Sequence, residues 1–206
     1  IASKLDALVV EDDYEFEMSF LEPALPALKS LDNDGRVIYV GSFSKSLFPG
    51  MRLGYLVGPA PFIKEARALR ASVLRHPPGH IQRTAAYFLS LGHYDALIKR
   101  MSKQYEERYL EMEKSLTKFD LKIAGKAQHG GSSFWVETPK CTNAVKLAQK
   151  LLEMDVVIEP GDPFFVGENY PKNFIRLAYS SISTNKIAAG IELIAEAISD
   201  TGPITA

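Results

Sequence analysis

The chain is 206 residues long, 46% hydrophobic, with a formal net charge of −1: enough for one substantial core or two modest ones, and too balanced to be steered by its own field toward nucleic acid or an anionic membrane. No apolar run approaches the roughly twenty residues of a membrane span, and no secretory signal is visible. The single cysteine, Cys141, excludes an intrachain disulfide, so a cytoplasmic protein is expected.

In chain order, Leu8-Val9-Val10 and Val37-Ile38-Tyr39-Val40 predict short buried strands, apolar on both faces. Between them, Pro23 to Gly35 reads as a proline-punctuated connection. Arg52 to Gly58 predicts a further strand, and Pro59 and Pro61 open the next helix. That helix runs from about Phe62 to Leu74 and breaks at His76-Pro77-Pro78-Gly79. A second runs from about Ile81 to Leu91, with Gly92 as its C-cap. The third is the longest, from about Tyr94 to Phe119. Its stripe of Leu97, Ile98, Met101, Tyr105, Tyr109, Met112 and Leu116 faces a core, while Lys99, Arg100, Lys103, Glu106, Glu107, Arg108 and Glu111 mark a solvated side.

Beyond it, Ser133-Phe134-Trp135-Val136-Glu137 predicts a strand in which Phe134 and Trp135 are partly committed to packing and take no catalytic role. Asn143 to Met154 predicts a helix with apolar Val145, Leu147, Ala148, Leu151 and Leu152. Cys141, between Lys140 and Thr142 near that helix start, reads as structural or solvent-facing rather than catalytic. Val156-Val157-Ile158 predicts a strand ending in the tight loop Glu159 to Pro163. Phe174 to Ala178 is the next strand and Ile187 to Ile198 the closing helix. There is no internal repeat or low-complexity tract. Strands interleaved with helices in this order predict an α/β fold.

Lys45 carries the chemistry. It stands in Ser42-Phe43-Ser44-Lys45, directly behind an apolar strand, and Arg52 follows seven positions later. Glu11-Asp12-Asp13-Tyr14 closes another apolar run, with Asp12 thirty-three positions before the lysine. An amine, a phosphate-binding set and an acid able to hold a heterocycle together describe a pyridoxal phosphate site. The cofactor binds a lysine amine as a Schiff base and acts as an electron sink. The amine must be neutral to attack, which a nearby cation such as Arg52 and partial burial both favour. A phosphate dianion takes hydroxyl donors and a planar guanidinium, here Ser42, Ser44 and Arg52. Asp12 is the candidate to keep the pyridine nitrogen protonated, and Tyr14 to donate its phenol to the ring oxygen. Taken singly, Lys45 is a solvated loop cation, Arg52 a surface arginine, and the acids a helix cap or a site for a hard cation. No second acidic cluster or histidine pair is spaced to complete a metal shell.

The stretches Val9 to Phe16 and Gly41 to Tyr55 resemble the strand end and the Schiff-base segment of class I/II aminotransferases, members of the fold-type I pyridoxal phosphate superfamily. The resemblance implies the C-terminal part of such a transferase. Residues 1–104 would belong to the large cofactor domain, and residues 105–206 would form the small C-terminal α/β domain. It implies Lys45 as the cofactor-bound lysine, Asp12 on the ring nitrogen, Tyr14 on the ring oxygen, and Ser42, Ser44 and Arg52 on the phosphate. Arg176, in Asn173-Phe174-Ile175-Arg176-Leu177, matches the arginine that grips the substrate α-carboxylate. A homodimer acting on an amino acid and a 2-oxo acid is implied as well. Tyr14 follows Asp12 by two positions where many relatives have three. This compact form, with Phe48-Pro49-Gly50-Met51-Arg52-Leu53-Gly54, looks most like MocR-type regulators, which fuse a GntR-type winged helix-turn-helix to an aminotransferase-like domain. An offset of one would put Asp13 in the place of Asp12.

The residues leave Arg176 two readings. Flanked by Ile175 and Leu177, it points away from both, either into a surface salt bridge or into a cleft where it pairs with a carboxylate. His129, before Gly130-Gly131, reads as a loop histidine, and the Lys45 amine as the proton shuttle. Because the chain opens almost directly on a strand and without Met, it is expected to be the C-terminal half of a larger protein. Three functions follow: a pyridoxal phosphate-dependent aminotransferase; the effector-sensing domain of a regulator that reaches DNA only through an N-terminal domain; or a silent fragment that dimerises.

Overall fold

The computed structural model describes residues 1–13, 16–125 and 128–200. They divide into two compact units, one of residues 1–19 and 23–102, the other of residues 20–22 and those from Lys103 on.

The first unit holds a three-stranded sheet. Strand β1 (Val9–Asp12) runs parallel to β2 (Val37–Ser42), and β3 (Gly54–Val57) pairs antiparallel on the far side of β2. A clasp sets the start of β2. Asp32 accepts from the Lys29 Nζ at 2.8 Å and from the Arg36 and Val37 N–H groups at 2.9 Å each. The Lys29 ammonium, ahead of those two amides, holds the Asp32 carboxyl well below the ordinary carboxylate range. The 3-10 turn Leu28–Leu31 lies inside the stretch expected to be a plain connection.

Of the two strands expected to be buried, β1 and β2, only the central β2 is. Val37, Ile38 and Tyr39 of β2 are buried, whereas Val10 of β1 is 64% exposed and every residue of β3 is exposed. The physical difference is position, because β2 is paired on both sides and its neighbours are edges. The helices of this unit add little cover: α1 (Ala60–Val73) buries no residue and α2 (Gly79–Ser90) only Ala85. Helix α2 ends as the glycine predicted, with Gly92 in the left-handed region at φ +74 and its N–H donating to the Leu89 carbonyl.

Helix α3 (His93–Lys118) contributes its first residues to this unit and the remainder to the second. Its stripe is graded: Tyr105, Tyr109, Met112 and Leu116 are buried, while Leu97, Ile98 and Met101 are only half-buried.

The second unit is an antiparallel sheet in the order β4-β5-β7-β6, made of β4 (Lys122–Gly125), β5 (Ser133–Glu137), β6 (Glu159–Pro160) and β7 (Phe174–Ala178). Burial alternates as a one-sided sheet requires. Phe134, Val136, Ile175 and Leu177 are buried, and Ser133, Trp135, Glu137 and Arg176 share the other face. The Tyr109 ring of α3 sits 4.8 Å from that of Phe134 on the buried face. Helix α4 (Ala144–Leu152) buries Ala144, Leu147 and Leu151, and α5 (Thr184–Ser199) buries Ile187, Ile191, Ile194 and Ala197.

One expectation needs correction here. Val156–Ile158 is not a strand; pairing begins at Glu159 and ends at Pro160, which has no N–H to extend the ladder. Val145 and Leu152 of α4 are exposed, off the stripe that Leu147 and Leu151 define. Strand β4 was not foreseen, since Lys122-Ile123-Ala124-Gly125 is too short and small to show a period. Among the described residues, no helix is long and apolar enough to cross a membrane.

Candidate functional site

Asp12 ends β1 and Ser42 ends β2, so both stand at the carboxyl end of the parallel pair, the usual ligand-binding edge of open α/β sheets. The register Asp12↔Val40 places Asp12, Val40 and Ser42 on one face, and Glu11↔Tyr39 and Gly41↔Tyr55 place those four residues on the other. This alternation divides the acidic triplet. Glu11 accepts from the N–H groups of Leu28 at 2.6 Å and Lys29 at 2.9 Å, capping the 3-10 turn. Asp13 accepts the Tyr39 hydroxyl at 3.1 Å. The Asp12 side chain is exposed and makes no hydrogen bond or ion pair with a described residue. Tyr14, the fourth member of the expected cluster, lies outside the described residues.

The segment after β2 folds back on the sheet. The Phe43 N–H donates to the Leu53 carbonyl at 3.0 Å, the Leu47 N–H to the Phe43 carbonyl at 2.9 Å, and the Ser44 N–H to Ser42 Oγ at 3.1 Å. Lys45 is exposed at the top of this turn, and its neighbour Ser46 is wholly buried. Pro49–Met51 then makes a 3-10 turn that ends on Arg52 at φ +48. A left-handed non-glycine residue costs about 1 kcal/mol or more, and the turn holds the Arg52 side chain exposed just ahead of β3.

Gly41 is required by the ring above it. A Cβ there would lie 2.2 Å from Tyr55 Cζ. The Tyr55 ring stacks on Tyr39 at 6.0 Å and meets Phe43 at 5.4 Å, and Phe43 meets Tyr94 edge-on at 6.0 Å. Burial, then Tyr55, then Asp13 push the Tyr39 phenol well above its ordinary value, so it stays a donor.

In the second unit, Arg176 points away from buried Ile175 and Leu177, as alternation requires. It is not on an edge strand, because β7 lies between β5 and β6. Its Nε donates to Ser133 Oγ at 3.0 Å and its Nη1 to Glu159 Oε2 at 2.7 Å. Arg176, Glu159, Ile182 and Lys186 line a cleft of about 850 Å³. Trp135 stacks on Phe174 on the same sheet face. Glu159 and Ser133 escaped the sequence reading because partnership across strands depends on register, which no local pattern reveals. His129 lies in the turn before β5, its carbonyl accepting from the N–H groups of Phe20 and Leu21, and Cys141 is exposed. Among the described residues, no three His, Cys, Asp or Glu side chains gather as a metal-ligand group.

The α/β architecture belongs to one class of protein. The chain is a member of the aminotransferase class I and II family, whose model matches residues 7–194. It is 58% identical over 193 residues to the HTH-type transcriptional regulator TauR of Rhodobacter capsulatus, an alignment covering 94% of this chain and 40% of that protein. Among solved structures, it superposes on the kynurenine aminotransferase of Pyrococcus horikoshii, crystallised with PMP, with a TM-score of 0.87 and 31% identity. That match covers 97% of this chain and 49% of the other. The α-aminoadipate aminotransferase LysN of Thermus thermophilus, bound to N-(5'-phosphopyridoxyl)-L-leucine, gives a TM-score of 0.87 at 29% identity, over 97% of this chain and 52% of LysN. The chain is thus a partial fold-type I aminotransferase domain, spanning between two fifths and about half the length of these relatives.

Proposed function

We propose that the protein of which this domain is part binds pyridoxal phosphate at Lys45 and transfers an amino group between an amino acid and a 2-oxo acid. The observation that carries this reading is the division of the acidic triplet. Asp12 alone is left without a partner among the described residues, and it shares a face with Ser42 at the strand ends from which the Lys45 turn departs.

The donor set fits the group. Asp12 would hold the ring nitrogen, Tyr14 the ring oxygen, and Ser42, Ser44 and Arg52 the phosphate, with Lys45 as the covalent anchor. When bound, the cofactor supplies an electron sink for the bond to the substrate amine. The chain's own residues do the remainder. The Lys45 amine, set free when substrate takes its place, moves a proton at the substrate Cα. The Asp12 carboxylate would favour the protonated form of the ring nitrogen. Ser42 accepts the Ser44 N–H and keeps its own hydroxyl proton to donate. Arg176 takes the substrate carboxylate, for which Glu159 is the internal stand-in on Nη1.

In this reading residues 1–104 are the cofactor-domain part and residues 105–206 the small domain of a cytoplasmic homodimer. The exposed thiol of Cys141 is in keeping with a reducing compartment. A second reading has an observation of its own, the 58% identity to a transcriptional regulator. There the same site senses an amino-group ligand with little turnover, and DNA is reached through a separate domain. The test is full-length protein given pyridoxal phosphate and one amino acid at a time, with absorbance and 2-oxo acid release both measured. Release on every spectral change supports the aminotransferase. Spectral change without release favours the sensor, and no change with any amino acid contradicts both.

A further inference from the structure

Behind the Lys45 turn lies a buried polar cluster that the roles above do not use. Glu17 is 6% exposed, and it sits in the 3-10 turn Phe16–Met18 that follows β1. One of its carboxylate oxygens accepts the Tyr94 hydroxyl. The other, Oε2, is buried with no hydrogen-bond partner among the described residues. The Tyr94 oxygen also lies 3.2 Å from Oγ of Ser46, whose side chain is fully buried. Three segments far apart in sequence therefore meet on one hydroxyl: the turn after β1, the residue next to Lys45, and the first turn of α3. The Tyr94 ring is held edge-on against Phe43, two residues before Lys45.

A carboxylate taken out of water costs several kcal/mol unless it is paired or serves a purpose, and a half-satisfied polar network is worse for stability than an apolar one. Stability alone would favour apolar side chains at these positions. What the cluster does supply is a fixed point one residue from Lys45. Burial, then the Glu17 carboxylate, push the Tyr94 phenol well above its ordinary value, so it remains a donor at neutral pH.

We propose that Glu17, acting through Tyr94 and Ser46, is a positioning residue for Lys45, fixing the backbone that carries the amine. This rests on the reading of Lys45 as the cofactor lysine. It differs from the role of Asp12, because Glu17 touches neither cofactor nor substrate.

The test uses full-length protein and three variants, Glu17→Gln, Tyr94→Phe and Ser46→Ala. Two readouts are independent of turnover: the midpoint of the pH titration of the bound cofactor's absorbance, and the dissociation constant for pyridoxal phosphate measured on apoprotein. Thermal melting of the apoprotein reports folding separately. Glu17→Gln loosens the hold on the Tyr94 hydroxyl, so it should weaken cofactor binding at least about threefold, near 0.7 kcal/mol, and shift the titration midpoint of the bound cofactor. Tyr94→Phe keeps the ring against Phe43 and removes only the hydroxyl, so it should fold and weaken cofactor binding at least about threefold, near 0.7 kcal/mol; Ser46→Ala should do the same to a smaller extent. Variants that melt lower yet keep the wild-type midpoint and dissociation constant would show a structural role only and overturn the inference. If wild-type protein forms no reducible adduct on Lys45, the cofactor reading and this inference fall together. An adduct on Lys45 with unshifted Glu17→Gln and Tyr94→Phe overturns this inference alone.

Discussion

In the second unit, β5 and β7 bury Phe134, Val136, Ile175 and Leu177 on one face and leave polar and aromatic groups on the other. In the first unit, β1 and β3 are as apolar in sequence, yet Val10, Leu56 and Val57 are exposed and α1 buries nothing. The two patterns ask for different amounts of cover. A strand of period two needs one apolar layer, and α3 with its Tyr109 ring on Phe134 begins that layer within the unit. A strand apolar on both faces needs two layers, and the described residues of the first unit do not supply both. Fully burying a Val or Leu side chain contributes about 1.5–3 kcal/mol. The stability of this chain should therefore be concentrated in its second unit.

The largest expected effect is there. Ile175→Ala, at a wholly buried position, should lower unfolding free energy by about 2–5 kcal/mol in a denaturant titration. A cost below about 1 kcal/mol would erase the contrast between the units. Gly41→Ala tests the part of the first unit that is tightly built. The new Cβ would meet Tyr55 Cζ at 2.2 Å, and displacing that ring should cost about 1–3 kcal/mol and disturb the Lys45 turn. Within the same sheet, Asp12→Ala should weaken cofactor binding at least about tenfold, equivalent to about 1.4 kcal/mol, while Asp13→Ala leaves it near wild type. The reverse ranking would transfer the ring-nitrogen role to Asp13.

A smaller effect appears at high pH. Tyr39 and Tyr94 both titrate above their ordinary value of 10.0 in the folded chain. An acid whose folded pKa is raised binds its proton longer in the native state, so its stabilisation is complete below the unfolded value and declines as pH rises past it. Melting temperature should fall between about pH 9 and pH 11, and less so in Tyr94→Phe. The smallest effect belongs to the exposed strand. Val10→Ser should change stability by no more than about 0.5 kcal/mol, measured in the same titration as Ile175→Ala.

Much of this was legible in the sequence because it rests on local rules. The stripe of α3, the Gly92 cap and the alternation of β5 and β7 follow from period and punctuation. Lys45 and Arg52 stood out because a lysine at a strand end and an arginine seven residues on, after Pro49-Gly50, form an unusual combination. What did not follow depends on pairing between distant residues. The buried state expected of β1 follows from its apolar composition, which sets what a strand needs but not what it obtains. The ends of β6 depend on its two-residue register with β7. The division of Glu11, Asp12 and Asp13 among a turn, the shared face with Ser42 and a tyrosine depends on the β1–β2 register. The same is true of Glu159 on Arg176 and of Tyr94 on Glu17, which meet across 17 and 77 positions of sequence.

The most direct test of the central claim is borohydride reduction of full-length protein loaded with pyridoxal phosphate, followed by peptide mapping. A stable phosphopyridoxyl adduct on Lys45, lost in Lys45→Ala, is the expected result. A folded protein that carries no adduct on Lys45, or carries it on another lysine, would contradict it.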